Sequence, residues 1–250
     1  TNISNPTASP KVTTTYTVTV TGENGCIASD QVTVTVINLI VANDDSGSSV
    51  NSYTGGISFT NVLSNDLFDC RAVKSDEVTT SFVSSTHPGI TLNGTNVVVA
   101  AGTPAGNYTL TYQICEIANP NNCDTADVTV TVTAPVIVAQ DDTIAGGNGA
   151  NGNTNAGNVL NNNGNGNDTL NGTNVTISQV NLTVTTPATP ISGGPVPTIS
   201  AATGQVSVPA GTPAGNYTLV YSICEKVNPT NCDSATVTVT VTAPVIVAQD

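Results

Sequence analysis

AGTPAGNYTLTYQICEIANPNNCDTADVTVTVTAPVIVAQD, residues 101–141, returns as AGTPAGNYTLVYSICEKVNPTNCDSATVTVTVTAPVIVAQD at residues 210–250, identical at 34 of 41 positions. So close a repeat means one structural unit used twice. Within it Tyr108, Leu110, Tyr112 and Ile114 alternate with Thr109, Thr111, Gln113 and Cys115. Strand side chains point to opposite faces in turn, so this run is a strand with one buried face. Val128, Val130 and Val132 alternate with threonines in the same way. Working outward, strands are expected at 57–63, 77–84, 90–99, 108–115 and 126–133, separated by Gly, Pro and Asn clusters, with no helix. The expected fold class is all-β: tandem immunoglobulin-like antiparallel β-sandwich domains arranged end to end.

The copies open at Ala42-Asn43-Asp44-Asp45 and Ala139-Gln140-Asp141-Asp142. This sets the expected domains at 39–138 and 139–248, with 249–250 as the start of a next repeat. Residues 1–38 read as the C-terminal part of a preceding sandwich, because SPKVTTTYTVTV, a turn at 22–25 and SDQVTVTVI form a last hairpin. The second copy is longer between Val159-Leu160 and its AGTPAG turn, and such length variation marks loops. The Gly/Asn tract 146–167 is accordingly expected to be a permissive surface loop. TAPVIVAQDD leaves little spacer between copies, and Pro135 stiffens it, so a rod is expected.

Composition narrows the function. The 250 residues carry 4 Lys plus Arg against 17 Asp plus Glu, a net charge of −13, one His and no Trp. That charge repels phosphate backbones and anionic lipid, so no nucleic acid partner is expected. Nor does any apolar run reach the length of a membrane span. His87 precedes Pro88-Gly89 and has no counterpart in the second copy, so it reads as a turn residue and hydrolytic catalysis lacks its base. No catalytic residue is expected, and the chain is not read as an enzyme.

Cys115 and Cys123, and Cys224 and Cys232, form two matched C-x7-C pairs flanking a Pro-Asn loop between the last two strands. Two hairpin disulfides are expected, each closing about nine residues and contributing about 2.5 kcal/mol by chain entropy. Reduced thiols or a metal clip are the alternatives, and the spacing without a neighbouring His suits zinc poorly. Cys26 and Cys70 have no repeat counterpart. They pair with each other across a boundary, with other residues, or not at all.

The run YTLTYQICEIANPNNCDTADVTVTV, the opening NDD with NVLSND at 61–66, and the SPKVTTTYTVTVTGENGCIASDQVTVTV hairpin together resemble tandem β-sandwich repeats of giant Bacteroidota cell-surface adhesins, a class that includes mobile gliding adhesins. The resemblance implies type IX secretion, an extracellular location anchored at the outer membrane, and a part in adhesion, gliding or filament building. The NDD and VLSND elements are also similar to cadherin-like bacterial repeats, some of which bind calcium. Calcium takes six to eight oxygens, and the donors implied are Asp44, Asp45, Asn65 and Asp66, then Asp141 and Asp142 with Asn167 and Asp168. The second set departs from the pattern, since VLSND has become VLNNNGNGND. The plain alternative is that these Asp residues cap turns. Asp-[Ser/Thr]-small or apolar tripeptides, the Bacteroidota O-glycosylation signal, place candidate sugars on Thr125, Ser234, Thr143 and Thr169.

These readings converge on a structural stalk: a rigid spacer whose partners are adjacent repeats of one long chain, with surface polysaccharide or other cells met by a distal region. A carbohydrate-binding module with a groove formed by residues 183–205, and a subunit that polymerises by strand exchange, are the alternatives.

Overall fold

A computed structural model describes residues 5–248 of the chain. Residues 249–250, where a next repeat was expected to start, lie outside the described residues. The protein is all-β, with two separate hydrophobic cores. One is built from residues between Ile40 and Val132 and the other from residues between Ile137 and Val241. In the first, the alternating faces read from the repeat close as expected: Leu110, Tyr112, Ile114, Val128, Val130 and Val132 are all buried.

Each module is a two-sheet sandwich. In the first, Val78–Ser85, Gly106–Glu116 and Cys123–Thr133 lie side by side and antiparallel. Facing them is the sheet Ile90–Asn93, Asn96–Val99, Gly56–Phe59. A third small sheet joins Ile40–Val41 to the hairpin Leu67–Phe68 and Arg71–Ala72. The short strands Asp45–Ser46 and Val50–Asn51 pair parallel with Cys123–Thr133. In the second module Asp142–Asn148 pairs parallel with Cys232–Thr242. An entering strand parallel to the last makes the chain join the main sheet at one pole and leave it at the other.

The structure changes four sequence expectations. The run 57–63 is a strand only to Phe59 and then becomes a 3-10 turn, Val62–Ser64, which buries Val62 and Leu63. The run 90–99 is a tight hairpin, because Gly94 adopts a φ of 61° at its centre. The tract 146–167 is only partly a loop, since Asp142–Asn148 and Asn153–Asn158 are strands. Gly146, Gly149, Gly152 and Gly157 lie where the sandwich has little room: a Cβ on Gly157 would come within 3.1 Å of Ile144, and one on Gly149 within 2.0 Å of the Thr212 carbonyl oxygen. Close backbone approach, not β-propensity, selects them. Of the groove expected at 183–205, residues 183–186 belong to the strand Val180–Thr186.

The hairpin Thr14–Thr21 and Ile27–Val34 stands apart as a two-stranded sheet. Its apolar side chains Val18, Val20 and Val32 are exposed. Cys26 and Cys70 are both free and exposed.

One turn carries measurable strain. The hairpin that ends in Asn171-Gly172 in the second module, with φ of 52° and 74°, ends in Asp69-Cys70 in the first, with φ of 53° and 62°. Left-handed backbone costs an L side chain about 1–2 kcal/mol, and Gly avoids that cost at the expense of entropy. Cys70→Gly is therefore expected to stabilise the first module by roughly 0.5–1 kcal/mol, read as a higher midpoint in thermal or urea unfolding. A lower midpoint would show that Cys70 makes a contact this account omits.

Candidate functional site

Two polar clusters recur in both modules. The first ties the opening Asp pair to the penultimate strand. Tyr112, fully buried, donates its hydroxyl to the Asp66 carboxylate at 2.9 Å, with the Val62 carbonyl oxygen 3.0 Å away. Asp66 also accepts the Asn43 amide at 2.8 Å, Asp124 accepts the Ala42 amide at 2.9 Å, and Asp44 accepts the Asp127 amide at 2.9 Å. These carboxylates act as sutures, satisfying backbone donors where the entering chain crosses the sandwich edge.

The second module rebuilds the suture with different spacing. Tyr221 donates to Asp168 at 2.8 Å, Asp168 accepts the Gln140 amide at 2.7 Å, Asp233 the Ala139 amide at 2.9 Å and Asp141 the Thr236 amide at 2.8 Å. Asp66 follows Val62 by four positions, while Asp168 follows Val159 by nine. The NNNGNGN insertion loops out and returns Asp168 to the same place. Asn165, not Asn167, takes the part of Asn65: each donates its amide to the carbonyl of the first Asp of its module, Asp141 at 2.9 Å and Asp44 at 3.0 Å. Asn167 instead accepts the Asn162 amide at 2.8 Å.

Asp45 and Asp142 differ from the rest. Both are buried, and Oδ2 of each has no hydrogen-bond partner. Oδ1 of Asp142 accepts from the Asn163 amide at 2.9 Å. Burial, then the charges of Asp66 and Asp44, push Asp45 up to about 6. Burial, with Asp168 and Asp141 nearby, pushes Asp142 up to about 7, and burial raises Asp168 to about 6. Asp66 is raised by burial, and Tyr112 and Tyr221 are raised well above the ordinary phenol by burial and the adjoining carboxylates.

The donors implied for calcium are thus brought to one pole of each module, where Asp66 and Asp168 already accept hydrogen bonds on both carboxylate oxygens. Among the described residues, no three His, Cys, Asp or Glu side chains converge closely enough to hold an ion. Of the candidate sugar positions, Thr125, Thr143 and Ser234 are exposed and Thr169 is half-buried. The Asp before Thr125, Thr169 and Ser234 each accepts a backbone amide of the entering chain.

The second cluster is the joint between modules. The Cys115–Cys123 and Cys224–Cys232 disulfides both form and close the tip of each long hairpin. Directly after the first Cys of each pair lies a buried Glu, Glu116 or Glu225. Glu225 accepts from Asn228 at 2.7 Å and from Asn231 at 3.1 Å, and Asn231 also donates to the Pro135 carbonyl of the linker at 2.9 Å. Glu116, Asn122 and the Asn38 carbonyl repeat the pattern in the first module. Asn228, buried, then reaches across the boundary: its amide nitrogen donates to Ser52 Oγ at 3.1 Å and its oxygen accepts the Ala105 amide. Beside it Asn51 donates to Asn171 at 3.2 Å, and Tyr53 of the first module packs on the second core. A shallow groove lined by Pro104, Ala105, Ala134 and Pro229 flanks the contact.

Sequence reading placed the cysteines and the Asp pairs but missed Tyr112, Tyr221, Glu116, Glu225, Asn228 and Asn163. A signal for the joint existed. Cys-Glu and Asn-Pro-x-Asn-Cys persist in both copies while Ile117/Lys226, Ala118/Val227 and Asn121/Thr230 vary around them.

The suture has a pH signature. Carboxylates whose folded pKa is raised bind protons more tightly folded than unfolded, so their stability contribution is full near pH 4 and lost as pH rises through 6 to 7. Melting midpoints are expected to fall between pH 5 and pH 8. Asp142→Asn keeps the acceptor for Asn163 and removes the buried charge, so it is expected to stabilise the protein at pH 8 by ~2 kcal/mol and to flatten the pH dependence. Destabilisation at pH 8 would contradict the assignment.

No family model and no curated protein matches the chain. Solved structures similar to it include protocadherin gamma B2 extracellular cadherin domains 3–6, at 13% identity and TM-score 0.32, covering 93% of this chain and 59% of that one. Mouse clustered PcdhgC3 EC1-3 is similar at 14% identity and TM-score 0.34, covering 92% and 77%. A SusE-like surface-located polysaccharide-binding protein of the Bacteroides thetaiotaomicron heparin utilisation locus is similar at 16% identity and TM-score 0.31, covering 91% and 44%. The chain therefore spans less than two thirds of the first and third of these. At such TM-scores the likenesses supply no argument about function, and the fold assignment rests on the strand pairing described above.

Proposed function

We propose that the chain is a tension-bearing spacer: tandem sandwiches of an exported cell-surface adhesin or surface filament, which hold a distal binding region away from the cell. One observation carries the reading. In both modules the segment that follows the opening Asp pair pairs parallel with the last strand, at Val128–Asp45 and Val132–Val50 in one module and from Val237–Asp142 to Thr242–Asn148 in the other. A pull between the poles then shears these hydrogen bonds together instead of opening them one at a time. The Asn228 joint passes the load to the next module without a slack linker. Two disulfides accord with folding in an oxidising, extracytoplasmic compartment. Type IX export, outer-membrane anchoring and gliding rest on the sequence resemblance alone, as do sugars on Thr125, Thr143, Thr169 and Ser234.

A second reading, calcium held at Asp45 and Asp142, is favoured by the unpartnered buried Oδ2 of each. Asp66 would have to release its Asn43 and Tyr112 partners to join it.

Single-molecule pulling tests the first reading. The parallel pairing spans four residue pairs in the first module and six in the second. Two unfolding events are expected when the chain is held by its ends, the first module yielding at the lower force. Pulling the second module apart across its long hairpin should need less force than pulling it pole to pole. Equal or lower force along the pole-to-pole direction would overturn the proposal. Melting with calcium and with chelator tests the second reading: a calcium-dependent rise that Asp142→Asn abolishes supports it, and an unchanged midpoint disposes of it.

A further inference from the structure

Val78–Ser85 is the outermost strand of the main sheet of the first module: it pairs with Gly106–Glu116 on one side and, among the described residues, with no strand on the other. Glu77 accepts the Ile117 amide at 2.9 Å, so bonding to that neighbour falls on Glu77, Thr79 and Ser81. The alternation of an antiparallel ladder then turns the N–H and C=O groups of Val78, Thr80 and Phe82 to the open side. This edge lies well inside the chain and belongs to a module with its own buried core. Such an edge invites another strand unless charge, proline or a covering segment blocks it.

Here none of the three is present. No Asp, Glu, Lys or Arg occurs from Val78 to Cys115, although the chain carries a net charge of −13, and Val78–Ser85 holds no proline. Phe82 and Val83 are each 49% exposed. The second module closes the same place with its own chain. Its counterpart strand Val180–Thr186 is followed by residues 187–197, which hold four prolines and set Ala188, Ile191 and Val196 against the core. Val184, opposite Tyr221 as Phe82 is opposite Tyr112, packs on that core too. In the first module only residues 86–89 fill the interval.

We propose that this edge is a self-association site, at which residues 78–82 of one chain pair antiparallel with the same segment of a second copy. Charge selects the occupant: two chains of net charge −13 come together most readily where carboxylates are absent, and this edge is such a place on both. Register follows from the open backbone groups. A bulge after Phe82 confines regular pairing to residues 78–82, and a twofold axis at Thr80 sets each Val78 opposite the Phe82 of the other copy. Asp76 and Glu77 then lie beside Ser84 and Val83, so no two carboxylates meet. The interface is isologous and closes at two chains. So short a strand pair buries less surface than a stable dimer needs, so the contact is weak and acts where chains are crowded.

Sedimentation equilibrium on the full chain tests this, with Cys26→Ser and Cys70→Ser so that the two exposed thiols cannot link copies. A monomer–dimer equilibrium is expected at submillimolar concentration, tightening as salt screens the remaining carboxylates. Phe82→Glu places a charge on each copy at an exposed position of the edge and is expected to weaken association about tenfold. Amide hydrogen exchange gives a reading free of that substitution: Thr80 and Phe82 are expected to slow as concentration rises, while Thr79 and Ser81 are protected throughout. A monomer at every concentration and salt overturns the proposal. So does a dimer that Phe82→Glu leaves unchanged, which would place the contact elsewhere, as on the exposed hairpin Thr14–Thr21 and Ile27–Val34. Either result leaves the tension-bearing reading untouched, because pulling loads one chain at a time.

Discussion

Parallel pairing between the segment after the opening Asp pair and the last strand of each module is the constraint from which the rest of the molecule follows. Antiparallel neighbours are joined by hairpins and return the chain to where it began, whereas a parallel pair sends entry and exit to opposite poles. The long hairpin tip then faces the preceding unit and the AGTPAG loop faces the following one. The polar residues sit accordingly: Glu225 and Asn228 at the incoming pole, Ser52 and Ala105 at the outgoing one. A stalk arises from topology before any particular contact is considered.

The crossing of the entering chain creates a local problem that the sutures solve. Amides of Ala42, Asn43 and Asp127 would be left without partners at a sandwich edge, and an unmade buried hydrogen bond costs more than a made one contributes. Carboxylates of Asp124, Asp66 and Asp44 accept them. In a chain with only 4 Lys plus Arg, no cations are at hand to balance these groups. Burial and mutual repulsion therefore raise Asp45, Asp142 and Asp168, and some stability is given up at neutral pH for a fixed entry angle. The one ion pair among the described residues, Arg71 with Glu77, lies at the surface beside the strained Asp69-Cys70 turn and contributes little.

Much of the fold was legible because its driving force is periodic. Alternating Val and Thr define buried and exposed faces at a period of two, and repetition confirms the phase by showing it twice. The disulfide pairs were legible for the same reason, since Cys115 and Cys123 fall opposite each other once the hairpin is drawn. Periodicity says nothing about the residues that mattered most at the poles. Asp168 lies five residues further along than its counterpart, and only three-dimensional closure returns it to Tyr221. Gly157 carries little strand propensity, yet the lack of a side chain is what the space beside Ile144 accepts. Asn228 acts across a boundary, through the backbone amide of Ala105, and backbone donors have no sequence signature at all.

The two modules are locked end to end through the hairpin tip. Residual dipolar couplings of backbone amides in a weakly aligned medium measure this directly. Couplings from both modules are expected to fit one alignment tensor in the relative orientation set by the joint, and Asn228→Ala is expected to let the two tensors diverge. Two unrelated tensors in the unaltered chain would show freely swinging beads, and the account would be wrong.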